Sequence, residues 1–580
     1  MPLKIAIAQL NFTVGALEAN KNKIINAYQQ AVRQNADFLI LPEGAITGYP
    51  QEDLVLKESF HDEAMQILHH ISHITQNNNC AIICGGIQPN QNDNPNLAQD
   101  DMIRNTNHPQ LSPTIKQNQL FNAAFFLNNG EIVAIYHKNN LPNYGIFDEK
   151  RLFNPGTKNE IINYNGYNIK LMICADLWDK QLTDRLTQDN IDLLISINAS
   201  PYEINKLPKR IKICQNICQQ NNFTLIYSNM IGGQDEVVFD GNSFIMNQNS
   251  QIIKKLPAWQ EEIAYYQYNQ YDKKQNPSND IYHPPHNENI DDMTDENYKY
   301  HNIYMALVTG LKDYINKNNF DGVIIGMSGG IDSALSAAIA VDALGTNKVE
   351  TIMMATKYTS EASLNDAKSC CDNLGVKLSE INIDEIVHNM QTQLQLIDGH
   401  QSLNDITQQN IQARIRGNIL MALSNNSRKM VLTTGNKSEM AVGYATIYGD
   451  MCGGYSVLKD IYKSDVIKLC KFRNRNIPHY LALQKINVIP ENIITKPPTA
   501  ELAYNQQDND NLPDYAILDE ILHKILEDNM NITEIIALGH PKELVEKINQ
   551  LIIKSEYKRR QAPHGVKITT LAFGRDRRYP

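Results

Sequence analysis

Short apolar runs alternate with stretches whose apolar residues recur at helical spacing along most of the chain. Residues 4–10 read as a buried strand, and 20–34 carry Ile24, Ile25, Tyr28, Ala31 and Val32 at the spacing of an amphipathic helix. Residues 37–41 form a second strand stopped by Pro42, and 80–85 a third. Residues 121–127 and 131–136 flank Asn128-Asn129-Gly130, a strand–turn–strand pattern. Further strands are expected at 167–173, 192–198, 224–229 and 243–246. Between them, 88–118 are rich in Asn, Gln, Asp and Pro with little periodicity, which predicts a long surface loop.

Near residue 272 the pattern changes. Asn, Asp, His and Pro dominate to about 298, and Pro284-Pro285 prevents a continuous helix. Helical spacing resumes at Ile303, Leu307, Leu311, Tyr314 and Ile315. Short strands at 322–325, 349–354, 376–383 and 430–433 then alternate with helices, the one after 349–354 opened by a capping pattern at Ser363-x-x-Asp366. Such repetition predicts a doubly wound parallel sheet with its ligand at the strands' carboxyl edge. A polar tract at 505–511 reads as a loop. The organisation expected is therefore one domain over 1–268, a linker over 269–298 and a second domain over 299–580.

Composition narrows the class. At 580 residues the chain exceeds what one core supports, and 42% hydrophobic with 20% charged residues is ordinary for a globular protein. A net charge of -11 argues against general nucleic-acid affinity, and no apolar run is long enough to span a bilayer. Nine cysteines in mostly apolar contexts, with no secretory signal pattern at the N-terminus, point to a reducing, cytoplasmic setting. Cys80/Cys84 and Cys214/Cys218 lack a second ligand pair at zinc-site spacing and read as core.

Two groups of residues carry chemistry. In the first half Glu43, Lys138 and Cys174 each fall just past an expected strand. A thiolate nucleophile, a carboxylate that moves protons and an ammonium that steadies an oxyanion suit amide hydrolysis. In the second half an apolar strand runs into Gly326-Met327-Ser328-Gly329-Gly330-Ile331-Asp332-Ser333 and then a helix-forming stretch. Strand, glycine turn and helix converge main-chain N–H groups on an anion. Asp332 repels phosphate unless it also holds a cation, and the loop lacks the lysine of the Gly-Lys-Ser/Thr nucleotide loop. Arg414 and Arg416 are two apart, so one helix points them in different directions.

The motifs resemble two known families. Leu41-Pro42-Glu43, Lys138-x-x-Leu141-Pro142-x-Tyr144 and Ile173-Cys174-x-Asp176-x-Trp178, in that order, are similar to the signatures of the nitrilase, or carbon–nitrogen hydrolase, superfamily. That resemblance implies a four-layer α-β-β-α sandwich, Glu43 as general base, Lys138 as support for the tetrahedral intermediate and Cys174 as nucleophile. In the glutaminases of that superfamily the matching positions Tyr144, Ser200 and Lys206 bind glutamine. The glycine loop, Thr434-Gly435-Asn436-Lys437-Ser438-Glu439 and Tyr448-Gly449-Asp450 resemble the ATP-pyrophosphatase domain of NAD(+) synthetases. This implies ATP at residues 326–333 and Thr434, Mg²⁺ on Asp332 and Glu439, and deamido-NAD(+) contacted by Asn410, Glu439 and Lys558, with Asp450 nearby and Lys459 facing phosphate. Ala355 and Ala503 depart from the family, which often has proline and arginine there.

Together the resemblances imply that ammonia from L-glutamine, or ammonia itself, amidates an adenylated nicotinate carboxylate, with AMP, pyrophosphate and glutamate released. They also imply synthetase-domain dimers. An amidotransferase acting on a different carboxylate, or a nucleotide-sensing protein with a decayed hydrolase, is the alternative reading; the identity of the acid that triggers pyrophosphate release separates them.

Overall fold

Alternation of side chains about the strands sets the first layer boundary. Leu3, Ile5 and Ile7 from Leu3–Gln9 share a buried core with Ile169, Leu171 and Ile173 from Tyr167–Ile173 and with Leu193, Ile195 and Ile197 from Leu193–Asn198. The computed structural model describes residues 2–90, 120–157, 160–269, 295–397, 403–478, 480–499, 501–504 and 512–577. It divides into two compact units, Met1–Gln234 with Phe239–His286, and Asp235–Val238 with Asn287–Pro580.

The first unit holds two six-stranded sheets. In one, Leu3–Gln9 runs parallel to Phe38–Ile40, which runs parallel to Ala81–Pro89, and the hairpin Leu120–Asn128/Glu131–His137 continues the sheet antiparallel. In the other, Tyr167–Ile173, Leu193–Asn198 and Thr224–Asn229 are parallel. One face of each of these strands, such as Phe38 and Ile40, Ala124 and Phe126, and Ile226, joins the core between the sheets. Helices Leu17–Arg33 and Glu58–His73 cover the first sheet and Lys206–Gln220 the second, giving the four-layer sandwich. Glu262–Tyr268, absent from the sequence reading, returns to the edge of the first sheet antiparallel to Leu3–Gln9.

The second unit is built on a five-stranded parallel sheet in the order Leu378–Asn382, Val349–Ala355, Val323–Gly326, Met430–Thr433, Tyr455–Ser456. The order reverses between Val323–Gly326 and Met430–Thr433, so the loops leaving those two strands open a crevice at the carboxyl edge.

Several local expectations change. The helix expected to open at Ser363 begins at Glu361, and Ser360 caps it by accepting from the Ser363 N–H at 3.2 Å. Helix Glu296–Lys317 starts inside the tract assigned to the linker. Gln88 and Pro89 belong to a strand, whereas 91–118 of the expected loop, and the tract 505–511, lie outside the described residues. Cys80, Cys84, Cys214 and Cys218 are buried free thiols. Among the described residues no helix is long and apolar enough to cross a membrane.

Two helices of the second unit are joined twice. Helix Ile331–Leu344 carries Asp332 and Asp342, and helix Lys463–Arg475 carries Lys463 and Arg473. Lys463 meets Asp332 and Arg473 meets Asp342, both pairs 131 residues apart, so the helices run parallel in fixed register. Arg473 also donates to the carbonyls of Leu483 and Lys485, and Tyr304 donates its hydroxyl to Asp342 at 2.6 Å. Both ion-pair partners are fully buried, so removing one leaves the other charged without compensation. Asp342→Asn should destabilise this unit by about 3–5 kcal/mol. In a thermal scan the transition of the unit that holds these two helices should fall while that of the other unit stays in place.

Candidate active site

Four strand ends converge in the first unit. Glu43 follows Phe38–Ile40, Lys138 follows Glu131–His137, Cys174 follows Tyr167–Ile173 and Ala199 follows Leu193–Asn198. Glu43 and Lys138 are buried, with Lys138 Nζ 2.8 Å from Glu43 Oε1. Glu43 Oε1 also accepts from Asn122 Nδ2 at 2.8 Å, and Oε2 from the Ala199 N–H at 2.9 Å. Gly85 lets this strand end sit close: a Cβ there would lie 2.6 Å from Glu43 Cα.

Cys174 starts a short 3₁₀ turn, Cys174–Trp178, with φ of +44°, a conformation costly for any residue but glycine. Asp176 holds that turn. Its carboxylate accepts from the N–H groups of Ile173 (3.0 Å), Asn139 (3.0 Å) and Asn140 (2.7 Å) and from the Tyr136 hydroxyl (2.9 Å). The aspartate of the Cys-x-Asp motif therefore ties the thiol's turn to the lysine's loop. Burial raises the Asp176 pKa to about 6 against the pull of those donors. Burial also pushes the Cys174 thiol up, with Glu43 and Glu149 adding to the rise and Lys138 opposing it. At rest the sulfur is a thiol, so a base must take its proton before attack.

A second carboxylate, missed in the sequence reading, completes the cluster. Glu149 Oε1 accepts from Lys138 Nζ (2.9 Å), the Tyr49 hydroxyl (2.8 Å) and Asn122 Nδ2 (3.3 Å). Burial works against the Lys138 charge, but Glu149 and Glu43 outweigh it and hold the pKa above the usual lysine value. Burial likewise raises Glu149 to about 7, with Lys138 opposing and Glu43 reinforcing the shift. A carboxyl whose native pKa lies above its unfolded value binds more protons in the folded state. Its contribution to stability is thus present at low pH and declines as pH rises through about 4.5 to 7. Glu149→Gln removes this group. Its melting temperature relative to wild type should become more favourable between pH 5 and pH 8, and a pH-independent difference would contradict the assignment.

The residues expected at glutamine lie beside this cluster to different degrees. Ser200 is buried, its N–H donating to Asn229 Oδ1 at 2.9 Å and its Oγ accepting from Arg210 Nε at 3.1 Å. Arg210, buried and paired with Asp240 at 2.7 Å, also donates to the carbonyls of Ser200 and Pro201, which fixes that turn. Tyr144 is 66% exposed and packs edge-on against Phe147. Lys206 heads helix Lys206–Gln220, with Nζ 5.7 Å from the Trp178 ring centroid.

In the second unit the crevice encloses a cavity of about 300 Å³ lined by Gly326, Met327, Ser328, Gly330, Ile331, Asp332 and Ser333 on one side and by Thr434, Gly435 and Glu439 on the other. Gly329 lies behind that lining, with φ of +76°; a Cβ would stand 2.3 Å from the Ser363 carbonyl oxygen, so only glycine fits. Ser333 Oγ donates to the Gly330 carbonyl at 2.9 Å and the Gly330 N–H donates to Ser328 Oγ at 3.2 Å, which shapes the loop before any anion arrives.

Asn436 caps helix Lys437–Val442, accepting from the Glu439 N–H at 3.0 Å, and its Nδ2 donates to Asp332 Oδ1 at 3.0 Å. Asp332 and Glu439 both meet the Lys463 ammonium, the latter at 3.2 Å. A cation already stands between the two carboxylates, and Mg²⁺ is typically held by one or two carboxylates with phosphate oxygens completing its shell. The pair therefore fits that ion.

Other expected residues sit elsewhere. Lys459 does not line the cavity; its Nζ donates to the Pro563 carbonyl at 2.8 Å, and Lys463 is the lysine that faces Asp332. Asn410 and Lys558 are not in the lining either. Asn410 Oδ1 accepts from Thr446 Oγ1, and Lys558 donates to the carbonyls of Gly443 and Ala445, each at 2.8 Å. Asp450, by contrast, lines the cavity as expected, and it accepts from the Thr446 N–H at 2.6 Å. These three brace the segment whose Tyr444 and Thr446 do line it. Of the two arginines, Arg416 lines the cavity and donates to the Met354 carbonyl at 3.0 Å, while Arg414 donates to the Ile447 carbonyl at 3.3 Å. Lys437 is buried away from it, paired with Asp460 at 2.7 Å and with Glu527.

The carbon-nitrogen hydrolase family model matches residues 4–272 and the NAD synthase family model residues 303–562. The glutamine-dependent NAD(+) synthetase of Acinetobacter baylyi is 37% identical over 577 residues, covering 100% of this chain and 98% of that one. The chain belongs to the glutamine-dependent NAD(+) synthetase family. The Thermotoga maritima glutamine-dependent NAD(+) synthetase is 36% identical over 606 residues, covering 100% of this chain and 98% of its own. The solved glutamine-dependent NAD+ synthetase of Acinetobacter baumannii, in complex with adenosine diphosphate, superimposes with a TM-score of 0.74 at 36% identity, covering 100% of this chain and 98% of that chain. That of Cytophaga hutchinsonii, at 19% identity, shares the fold with a TM-score of 0.79 over 100% of this chain and 97% of its own. Membership in the glutamine-dependent NAD(+) synthetases accounts for two chemically unlike sites on one chain.

Proposed function

We propose that the chain amidates deamido-NAD(+) to NAD(+) with ammonia released from L-glutamine, at the expense of ATP cleaved to AMP and pyrophosphate. The observation that carries this reading is the coexistence of a buried cysteine–glutamate–lysine cluster with a glycine-loop cavity whose wall bears two carboxylates.

In the first unit Glu43 takes the Cys174 proton and the sulfur attacks the side-chain amide carbon. Lys138 stabilises the oxyanion, and Glu43 returns the proton to the leaving nitrogen as ammonia. Water, deprotonated by Glu43, then opens the thioester to glutamate. Tyr144, Ser200 and Lys206 hold the amino acid.

In the second unit residues 326–333 and Thr434 receive ATP. The nicotinate carboxylate attacks the α-phosphorus and pyrophosphate leaves. Ammonia adds to the carboxyl–AMP carbonyl and AMP departs, giving the amide. Asp332 and Glu439 would hold Mg²⁺, which offsets phosphate charge. Glu439 reaches deamido-NAD(+) from the cavity wall. Asn410 and Lys558 contact it from the rim or act through the segment 443–446 that they brace. Ammonium has no lone pair, so the nitrogen must travel as ammonia, and coupling should keep Cys174 slow until the adenylate forms. The protein acts in the cytoplasm as a homodimer or larger assembly.

A single assay tests the reading. Supplied with glutamine, Mg·ATP and deamido-NAD(+), the purified chain should yield glutamate, AMP and NAD(+) together, and glutamine turnover should rise when the other two substrates are added. AMP formed only with some other carboxylic acid would favour the rival amidotransferase.

A further inference from the structure

Free glutamine differs from a simple aliphatic amide in carrying opposite charges on its α-carbon substituents. Tyr144, Ser200 and Lys206 supply a cation and hydroxyl groups but no anion. The fold brings one alongside. Glu203 lies in the turn between strand Leu193–Asn198 and helix Lys206–Gln220, three residues before Lys206. Its side chain is 15% exposed and that of Lys206 is 19% exposed, so both charges are largely withdrawn from water.

The turn sets their spacing. The Lys206 N–H donates to the Glu203 carbonyl at 3.0 Å, and Asn205 takes the left-handed conformation with φ of +63°. Lys206 Nζ stands over the ring of Trp178, on the same 3₁₀ turn that begins with Cys174. Burial raises the pKa of the Tyr144 phenol, with Cys174 and Glu203 adding to the rise and Lys138 opposing it, which places these groups in one neighbourhood. Yet the Glu203 carboxylate and Lys206 ammonium are 3.7 Å apart, beyond hydrogen-bond length. This partly buried ion pair presents the mirror of an α-amino acid's charges, and a bound amino acid can take its place between the two groups.

We infer that Glu203 receives the α-ammonium of glutamine while Lys206 receives its α-carboxylate, so that the pair selects the free amino acid. The inference rests on the glutaminase reading of the first unit. A substrate without the ammonium leaves Glu203 facing an apolar carbon and pulls Lys206 back toward it. Charge-assisted hydrogen bonds are strong, and a site built to pair a polar group rejects the analogue that lacks it by large factors.

The test compares L-glutamine with 4-carbamoylbutanoate, its counterpart without the amino group, by ammonia release from the full chain. Wild type should favour glutamine in kcat/KM by about 100-fold or more. In E203Q that ratio should fall to within a few-fold of unity, through a raised KM for glutamine, with 4-carbamoylbutanoate little changed. NAD(+) formation from ammonium salts checks that the variant is folded. Should E203Q fail that check, E203D must still narrow the ratio. An equal loss for both amides would mean that Glu203 merely supports Lys206, and an unchanged ratio would mean that it does neither; each overturns the inference. Equal use of the two amides by wild type would also overturn it. Wild type that hydrolyses neither amide instead removes the glutaminase reading on which it stands.

Discussion

Cys174→Ala should lower glutamine-dependent NAD(+) formation by about four orders of magnitude or more, since loss of a covalent nucleophile removes the acylation route itself. NAD(+) formation from ammonium salts should persist, because the nitrogen enters after the step that Cys174 performs. The substitution is structurally mild. Cys174 sits at a strand end with φ of +44°, and alanine keeps both the small volume and the backbone demand. Asp176, not the sulfur, carries the hydrogen bonds that hold the turn. Glu43 likewise keeps its bonds from Lys138, Asn122 and the Ala199 N–H. The measurement is the initial rate with each nitrogen source at saturating ATP and deamido-NAD(+). Loss of both activities would mean that Cys174 supports the fold, and retention of both would remove it from the chemistry.

What the sequence disclosed follows from how local each signal is. Glu43, Lys138 and Cys174 were legible because each ends an apolar run, and a strand end fixes where its next side chain emerges. The glycine loop was legible for the same reason: its strand, turn and helix are contiguous in the chain. Glu149 and Asn122 were not legible. Asn122 is 79 residues from Glu43, and Glu149 reaches Tyr49 from 100 residues away. Neither contact leaves a periodic trace, because each depends on which strands are neighbours in the sheet. The one local cue for Glu149, a carboxylate eleven residues after Lys138, falls in a loop with many polar residues. The resemblance pointed to Lys459 and left Lys463 unread, because where a lysine near a helix start aims its side chain depends on where that helix begins. The helix begins at Lys463, which aims that side chain at Asp332. The same uncertainty of a few residues shifted the cap from Ser360 to Ser363.

The second large effect concerns Asp332, and it should strike both nitrogen routes at once. Asp332→Ala should reduce NAD(+) formation from glutamine and from ammonia alike by about 10³-fold or more, the scale lost when a preorganised electrostatic group is removed from a reacting centre. Three links converge on this carboxylate. Asn436 Nδ2 donates to one oxygen, Lys463 meets the other, and the residue itself lies in the first turn of the helix that follows the glycine loop. Without it Lys463 keeps only Glu439 as a carboxylate partner among these groups, and the two loops that face each other across the cavity lose their bridge through Asn436. ATP brings several negative charges into that space, and a single carboxylate is a weaker holder of the divalent ion expected to offset them. Asp332→Asn preserves shape but not charge, so it should restore folding stability without restoring the rate. Glutamine hydrolysis at its uncoupled rate should survive in both variants, since the first unit is untouched. If Asp332→Asn instead recovers NAD(+) formation, the carboxylate serves only to brace the loop, and the ion must be held by other groups.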